Sequence, residues 1–520
     1  MNTPGVYVTE LPSSQHPITG VATSITAFVG SAAQGPVDNP VTCNTWSDFV
    51  RTFGGLWAGS TMSYAVYQFF QSGGSTAIVV RVTSGGDNPA TYAILALPSA
   101  GNPDVRLEAI NPGQWGNSLQ ATVDYQTSDP GDDTLWNLTV QLAPSGPSER
   151  YLNISTDLDA AKSLSNVLQS SQLVQYLDGG DKRPDITAVG PPPVPVKATP
   201  NSGGDGDPIT DSDIDPETQT GGMYALNTVD IFNILCIPPP KPLLTPEYKG
   251  LLAATYGDAA EYLCVPRRAM LIVDPPPDWT SLPLSDAQQE EFPPIPAGAS
   301  AANGQAVSAN AAFYFPAVMA TDPLTGLSGT YAPCGAVAGV WAATDSSRGV
   351  WKAPAGTSAG LPAGMAPAVL MTDDQNGDLN PLGINCLRNF PIVGPVVWGA
   401  RTLQGADVLE NQWKYISVRR TALYIEESLR RGTQWSVFEP NAEPLWAAIR
   451  LNVGAFMAGL YSQGAFAGAT PSQAYLVKCD AENNPPTQVA LGILNILVGF
   501  APLYPAEFVL ISIEQLAGQS

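Results

Sequence analysis

Histidine is nearly absent from this 520-residue chain: His16 is the only one, in a polar, proline-flanked stretch near the start. A His pair, a His-bearing metal cluster or a core Ser–His couple therefore has no second residue to work with. Basic charge is scarce as well, 23 Lys and Arg against 46 Asp and Glu, net −23. Nucleic-acid affinity comes largely from cations displacing counterions, so DNA or RNA is excluded as the main ligand. The six cysteines (Cys43, Cys236, Cys264, Cys334, Cys386, Cys479) contain no C-x-x-C pair. They are expected to be small buried apolar residues in a reducing compartment. No basic-then-apolar leader opens the sequence, so no secretory signal is expected. A long uncharged run spans residues 483–506, where glycine, proline and Asn495 break it, and it reads as buried strand plus turn. No G-x-x-x-x-G-K-[ST] or G-x-G-x-x-G phosphate motif occurs.

What remains is a loop-rich folded chain with 49 Gly, 49 Pro and 44% hydrophobic residues, long enough for about three or four domains. Residues 4–10 (PGVYVTE) alternate as a short strand, and residues 506–515 (AEFVLISIEQ) as another. Between them lie the strand-like runs TSITAFVGSA, TAIVVRV, VDIFNILCIP, AMLIVDPPP and AAFYFPAVMA. Helical runs alternate with these: TWSDFVRTF, MSYAVYQFFQ, EYKGLLAATYGDAAEYL and CGAVAGVWAATD. That order predicts an α/β core. Residues 84–222 interrupt it with 19 acidic and 6 basic residues, strand patterns (LQATVDY, LWNLTVQL), a helical patch (AKSLSNVLQSSQLVQYL) and a Pro/Gly/Asp-rich tail. They read as an inserted, mostly-β surface domain with a flexible exit linker. In WKYISVRRTALYIEESLRRG, Tyr415, Val418, Ala422, Ile425 and Leu429 form an apolar stripe, Gly432 a cap, and Glu426/Arg430 and Glu427/Arg431 two i,i+4 pairs. QWSVF reads as a strand, Asn441 as an N-cap, and the next helix buries Leu445, Ile449, Val453, Phe456 and Leu460. Residues 381–455 hold 8 basic and 6 acidic residues, so positive charge is concentrated there, on paired helix surfaces or towards an acidic partner.

Three chemical possibilities need weighing. GTSAG at 356–360 fits the nucleophile-elbow pattern around Ser358, but it lacks a strand before it, a helix after it and a downstream histidine. The acidic runs at 204–217 and 373–380 lack calcium-loop spacing and read as solvated linker and turn. A binding module built on residues 84–222 would have to fold alone.

Several stretches taken together resemble the tail sheath proteins of contractile phage tails and phage-tail-like contractile injection systems. They are residues 4–10, 111–119 (NPGQWGNSL), 224–238, 267–279, 311–326, 332–356, 397–403 (VWGARTL), 413–441 and 505–515, in order along the chain. The wording FYFP, APCGAVAGVWAATDSSRGVWKAP and VFEPN is nearer the injection-particle members; a virion sheath is the alternative. The stretches 188–222 and 275–304 fit no motif of the family, and the protease-like label of its central region describes a fold likeness only.

The resemblance implies an α/β (mixed α+β) sheath-type core with an inserted mostly-β surface domain and strand-forming N- and C-terminal arms. The implied division is an N-terminal linker arm at 1–20, core at 21–83, insert at 84–222, core continued at 223–380, a C-terminal sheath domain facing an inner tube at 381–505, and a C-terminal strand arm at 506–520. It implies a non-enzymatic subunit without cofactor or metal, forming hexameric rings stacked into a helical sheath. Its expected partners are an inner tube protein, a baseplate and terminator or cap proteins, with no nucleic acid. Assembly is expected in the bacterial cytoplasm, in a particle that is released or anchored through other components. Val6, Tyr7 and Val8, with Phe508, Val509, Leu510, Ile511 and Ile513, would form intersubunit strand arms. Arg419, Arg420, Arg430, Arg431 and Arg450 would face the tube.

Overall fold

The computed structural model describes residues 16–157, 159–179, 182–187, 194–241, 250–285, 288–289 and 292–509. The chain enters through β1 (Thr26–Gly30), β2 (Val41–Cys43), helices α1 (Trp46–Phe53) and α2 (Thr61–Gln71), and β3 (Ala77–Arg81). Local chemistry sets these helices: Thr45 and Asp48 close a capping box on α1, and the Ser60 side chain caps α2. The insert follows with β4 (Ile94–Leu97), β5 (Val105–Ala109), β6 (Leu119–Asp124), β7 (Leu135–Leu142), β8 (Ser148–Ser155), β9 (Val174–Asp178) and β10 (Val196–Lys197). The core resumes with β11 (Ile234–Cys236), β12 (Met270–Val273), β13 (Ala311–Phe315), β14 (Val318–Thr321), β15 (Ser328–Tyr331), α3 (Cys334–Arg348), β16 (Ala366–Pro367), β17 (Asn385–Phe390) and β18 (Gly394–Val397). Helices α4 (Ile416–Gly432) and α5 (Glu443–Ser462) and the strands β19 (Tyr475–Lys478) and β20 (Leu497–Phe500) complete the described fold.

Eight strands form the central sheet in the order β18-β17-β13-β12-β11-β1-β3-β2. Its six inner strands run parallel, and an antiparallel strand closes each side. Such a sheet is covered on both faces, which explains why AFV, IVV, ILC and MLIV are apolar runs without alternation. Helices α2 and α3 cover one face. Glycine lets them touch: a Cβ on Gly335 would stand 2.1 Å from the Ala65 carbonyl oxygen, and one on Gly339 2.4 Å from the Ser72 Cβ. Buried Trp341 of α3 donates its indole N–H to the Tyr314 hydroxyl at 3.0 Å.

The insert has two antiparallel sheets, β10-β6-β7-β8 and β4-β5-β9, around its own core of Leu107, Trp136, Leu138, Val140 and Ile154. Arg81, buried at the end of β3, donates to Gly35 O at 2.7 Å and to Pro112 O at 2.9 Å, which joins insert to core.

Several sequence expectations are corrected. The patch at 161–177 is not one helix but a single turn (Leu164–Val167), a 3₁₀ turn and β9. Of the acidic exit tail, the described part is pinned rather than solvated. Val196–Lys197 pairs with β6, Ile209 and Ile214 are buried, and Asp205, Asp211, Asp213 and Asp215 accept hydrogen bonds from Gln114, Leu252, Gly85 and Tyr224. Residues 373–379 form a short helix capped by Thr372. QWSVF is a 3₁₀ turn, not a strand. Asn441 caps nothing; it ties Trp446 Nε1 and Ile493 O together. The run 483–506 is half-exposed: a helix (Pro486–Ala490), β20 and an exposed Leu491. No helix among the described residues is long and apolar enough to cross a membrane. All six cysteines are free and buried.

Candidate functional site

Both chain ends are rooted on the C-terminal third of the fold. At the N-terminal root, residues 16–25 run along α4. The His16 ring stacks on Trp435, centroids 4.1 Å apart, while its backbone N–H donates to Asn452 Oδ1 at 3.1 Å. Val21 N–H reaches Ser428 Oγ at 3.2 Å, and Arg420 donates to Thr23 O at 2.9 Å. Contact at Gly20 is so close that a Cβ there would lie 1.9 Å from the Tyr424 hydroxyl. The only histidine is therefore part of the root, and Ser358 lies in an exposed turn followed by no helix.

The C-terminal root is an ion pair. Arg401, fully buried, gives Nε to Glu507 Oε1 at 2.8 Å and Nη2 to Oε2 at 2.7 Å. Asn380 Nδ2 adds a bond to Oε1 at 3.0 Å and the Tyr415 hydroxyl one to Oε2 at 3.1 Å. Arg401 Nη1 in turn donates to Asn380 O, Gly405 O and Asp407 Oδ1 at 2.8, 3.1 and 3.1 Å. Burial alone would raise the Glu507 carboxyl. Hydrogen bonds from Arg401 and Asn380, with the Arg401 charge, outweigh it and hold the carboxyl below its usual range. Immediately after this anchor, Phe508 and Val509 are 73% and 74% exposed and belong to no strand. Of the expected arm residues, Val6, Tyr7, Val8, Leu510, Ile511 and Ile513 lie outside the described residues.

Shortly before this root in the chain comes a sheet of two strands only. β19 and β20 pair antiparallel from Tyr475↔Phe500 to Lys478↔Leu497, and among the described residues neither pairs with a third strand. Tyr475, Val477, Val498 and Phe500 pack on the α5 core, while Leu476 and Leu497 face outward, about half exposed. Two free backbone edges on an amphipathic sheet can accept added strands. The sequence signal was present in the alternation of YLVK, but the uncharged neighbourhood of β20 concealed its edge position.

The five arginines expected on a tube-facing surface are all engaged within the chain. Arg420 forms a bidentate pair with Asp345 at 2.9 and 2.6 Å, both side chains 3% exposed, with its guanidinium over the Trp341 ring. Arg419 is buried too, donating to Asn310 Oδ1 at 3.2 and 2.8 Å. These two are interior residues, which corrects the expectation: polar partners from α3 and the loop before β13 satisfy them inside the core. Arg430 and Arg431 bracket Glu427, and Arg431 also grips Asp230 at 2.8 and 3.0 Å. Glu426 faces Arg268 and Arg419 instead of Arg430. Arg450 bonds Glu443 at 2.5 Å. Among the described residues no group of three or more His, Cys, Asp or Glu converges as a metal site.

Comparison with known proteins agrees with this layout. Residues 410–515 match the phage tail sheath C-terminal domain, a span that includes α4, α5, the open sheet and Glu507. The tail sheath protein of Burkholderia phage BcepMu is 24% identical over 97% of this chain and 94% of its own length. The helical sheath of the anti-feeding prophage in its contracted state superposes with a TM-score of 0.57 at 21% identity, covering 99% of both chains. A sheath tail protein from Listeria innocua does so with a TM-score of 0.59 at 14% identity over 90% of each. Along nearly its whole length, the chain resembles the tail sheath proteins of contractile phage tails and phage-tail-like contractile injection systems.

Proposed function

We propose that the chain is the structural subunit of a contractile tail sheath, which polymerises helically around an inner tube and contracts to drive that tube through a target envelope. The observation that carries this reading is the anchored root together with an open sheet: Glu507 is fixed by four hydrogen bonds, the next two residues are free, and β19–β20 has two unpaired edges. A strand donated by one copy and accepted by another makes a heterologous contact, and repetition without closure builds a helix. Pulling on such an arm loads the Arg401–Glu507 pair rather than a mobile loop, so copies can rotate without separating.

Contraction needs two packings of differing stability, and the difference in contact free energy drives the tube outward. No nucleotide is consumed in the sheath itself, and the subunit has no catalytic role. Its partners are further copies in stacked hexameric rings, an inner tube protein, a baseplate and a terminator, with no nucleic acid. Assembly takes place in the bacterial cytoplasm, and the acidic insert projects outward and keeps the particle soluble. The exposed parts of Arg430, Arg431 and Arg450 are the cationic groups available to an acidic tube surface. Negative-stain imaging of the purified full chain tests the reading: hollow cylinders are expected, and deletion of residues 1–12 or 506–520 leaves dispersed subunits. Normal cylinders from both truncations contradict it.

A further inference from the structure

The anchored C-terminal root borders a cleft of about 890 Å³. Residues 503–508 form one rim, and Trp351, Trp398 and Tyr415 supply aromatic walls. Three cations line it, Arg348, Lys352 and Arg388, and the first two form no ion pair with a carboxylate among the described residues. The Lys352 ammonium turns instead to the carbonyl oxygens of Ala353 and Ala355, at 2.6 and 3.3 Å. Burial, reinforced by the neighbouring Arg348 charge, pushes its pKa below the usual lysine range. The other lining arginine, Arg388, already holds Asp373 at 2.7 Å. In a chain of net charge −23, this recess is cationic and unanswered.

The sequence that continues from its rim has the complementary chemistry. Residues 510–520 contain Leu510, Ile511, Ile513 and Leu516, no basic residue, and a single acidic side chain, Glu514. Glu514 lies six positions beyond Phe508 on the rim, a reach of about 20 Å if the chain is extended. Left uncovered in a free subunit, four aliphatic side chains would invite indiscriminate association.

We propose that before assembly the subunit keeps residues 510–520 in its own cleft, with Glu514 on Arg348 and Lys352 and the aliphatic side chains against Trp351 and Tyr504, and yields them to a neighbouring copy only on polymerisation. This rests on the strand-donation reading above and adds how the free subunit is restrained. An intramolecular partner has an effective concentration near the millimolar range, above that of any second copy in dilute solution. The cis contact therefore wins until a growing end offers several contacts at once. The tube and baseplate supply that end, so the restraint favours growth on them over growth in free solution.

The test uses the full chain carrying Lys352→Cys and Glu514→Cys, oxidised while dilute; the six native thiols are buried. An intrachain disulfide in the dispersed subunit is expected. A disulfide formed only between chains, or none, overturns the proposal. In parallel, Arg348→Glu with Lys352→Glu is expected to shorten the polymerisation lag about fivefold, the size of one surface ion pair, and adding Glu514→Lys to restore it. An unchanged lag, or no restoration, also overturns it. Should the wild-type chain build no cylinders at all, the strand-donation reading falls, and the cis disulfide in the dilute subunit is still read on its own.

Discussion

Arg401 and Glu507, 106 residues apart in sequence, meet in a largely buried two-bond ion pair that fixes the chain immediately before the exposed Phe508 and Val509. Removing Arg401 leaves the largely buried Glu507 carboxylate without its cation, a loss of about 3 kcal/mol. Arg401→Ala is therefore expected to lower the unfolding free energy by that amount. Glu507→Gln, which keeps the shape, is expected to leave a folded subunit that assembles poorly. Urea unfolding and sedimentation of the assembled fraction measure the two effects; equal cylinder yield from Glu507→Gln and wild type would remove the anchor's role.

Acid should release the same anchor. Glu507 titrates below its unfolded value near 4.5. Its stabilising contribution is thus fully present above that pH and is lost as pH falls through the lowered folded value. Limited proteolysis of the C-terminal segment is expected to accelerate as pH falls through that lowered value, and Glu507→Gln to lose that pH dependence.

Asp274 carries the opposite sign. It is buried just past β12, accepting from Cys334 N–H at 2.8 Å, and burial, only partly offset by its hydrogen bonds from Cys334, pushes its pKa up to about 7. The folded state therefore favours the proton, and stability falls as pH rises from about 4 to about 7. Asp274→Asn keeps the acceptor and removes the charge. Its melting temperature is expected to be flatter with pH than wild type and higher at pH 8.

At the other end of the chain, Gly20→Ala forces a Cβ into the Tyr424 hydroxyl. A destabilisation of about 1–3 kcal/mol is expected from this overpacking, with partial recovery in Gly20→Ala/Tyr424→Leu. Thermal unfolding of both variants checks it. No recovery in the double variant would place the strain elsewhere.

The sequence pattern revealed the α/β core because its strands are long apolar runs and its helices carry three-and-four spacing; α1, α2, α3, α4 and the inner strands β1, β3, β11, β12 and β13 lie where those patterns predict, whereas β17, whose NCLRNF carries Arg388 and two asparagines, gave no such run. It hid what depends on distant partners. Arg419 and Arg420 read as a charged helix face, yet Asn310 and Asp345, 109 and 75 residues upstream, draw them inside. Glu507 carried a signal of its own, a lone acid at the start of an apolar arm, but its partner could not be named from spacing. The acidic tail at 204–217 looked solvated because aspartates that cap turns and helices have the same composition as aspartates in a linker.

A high-resolution reconstruction of cylinders assembled from the full chain tests the central claim most directly. The account predicts both outer edges of β19–β20 occupied by strands from other copies, each leading back to an intact His16 or Glu507 root. Empty edges, with both chain tips folded onto their own molecule, would contradict it.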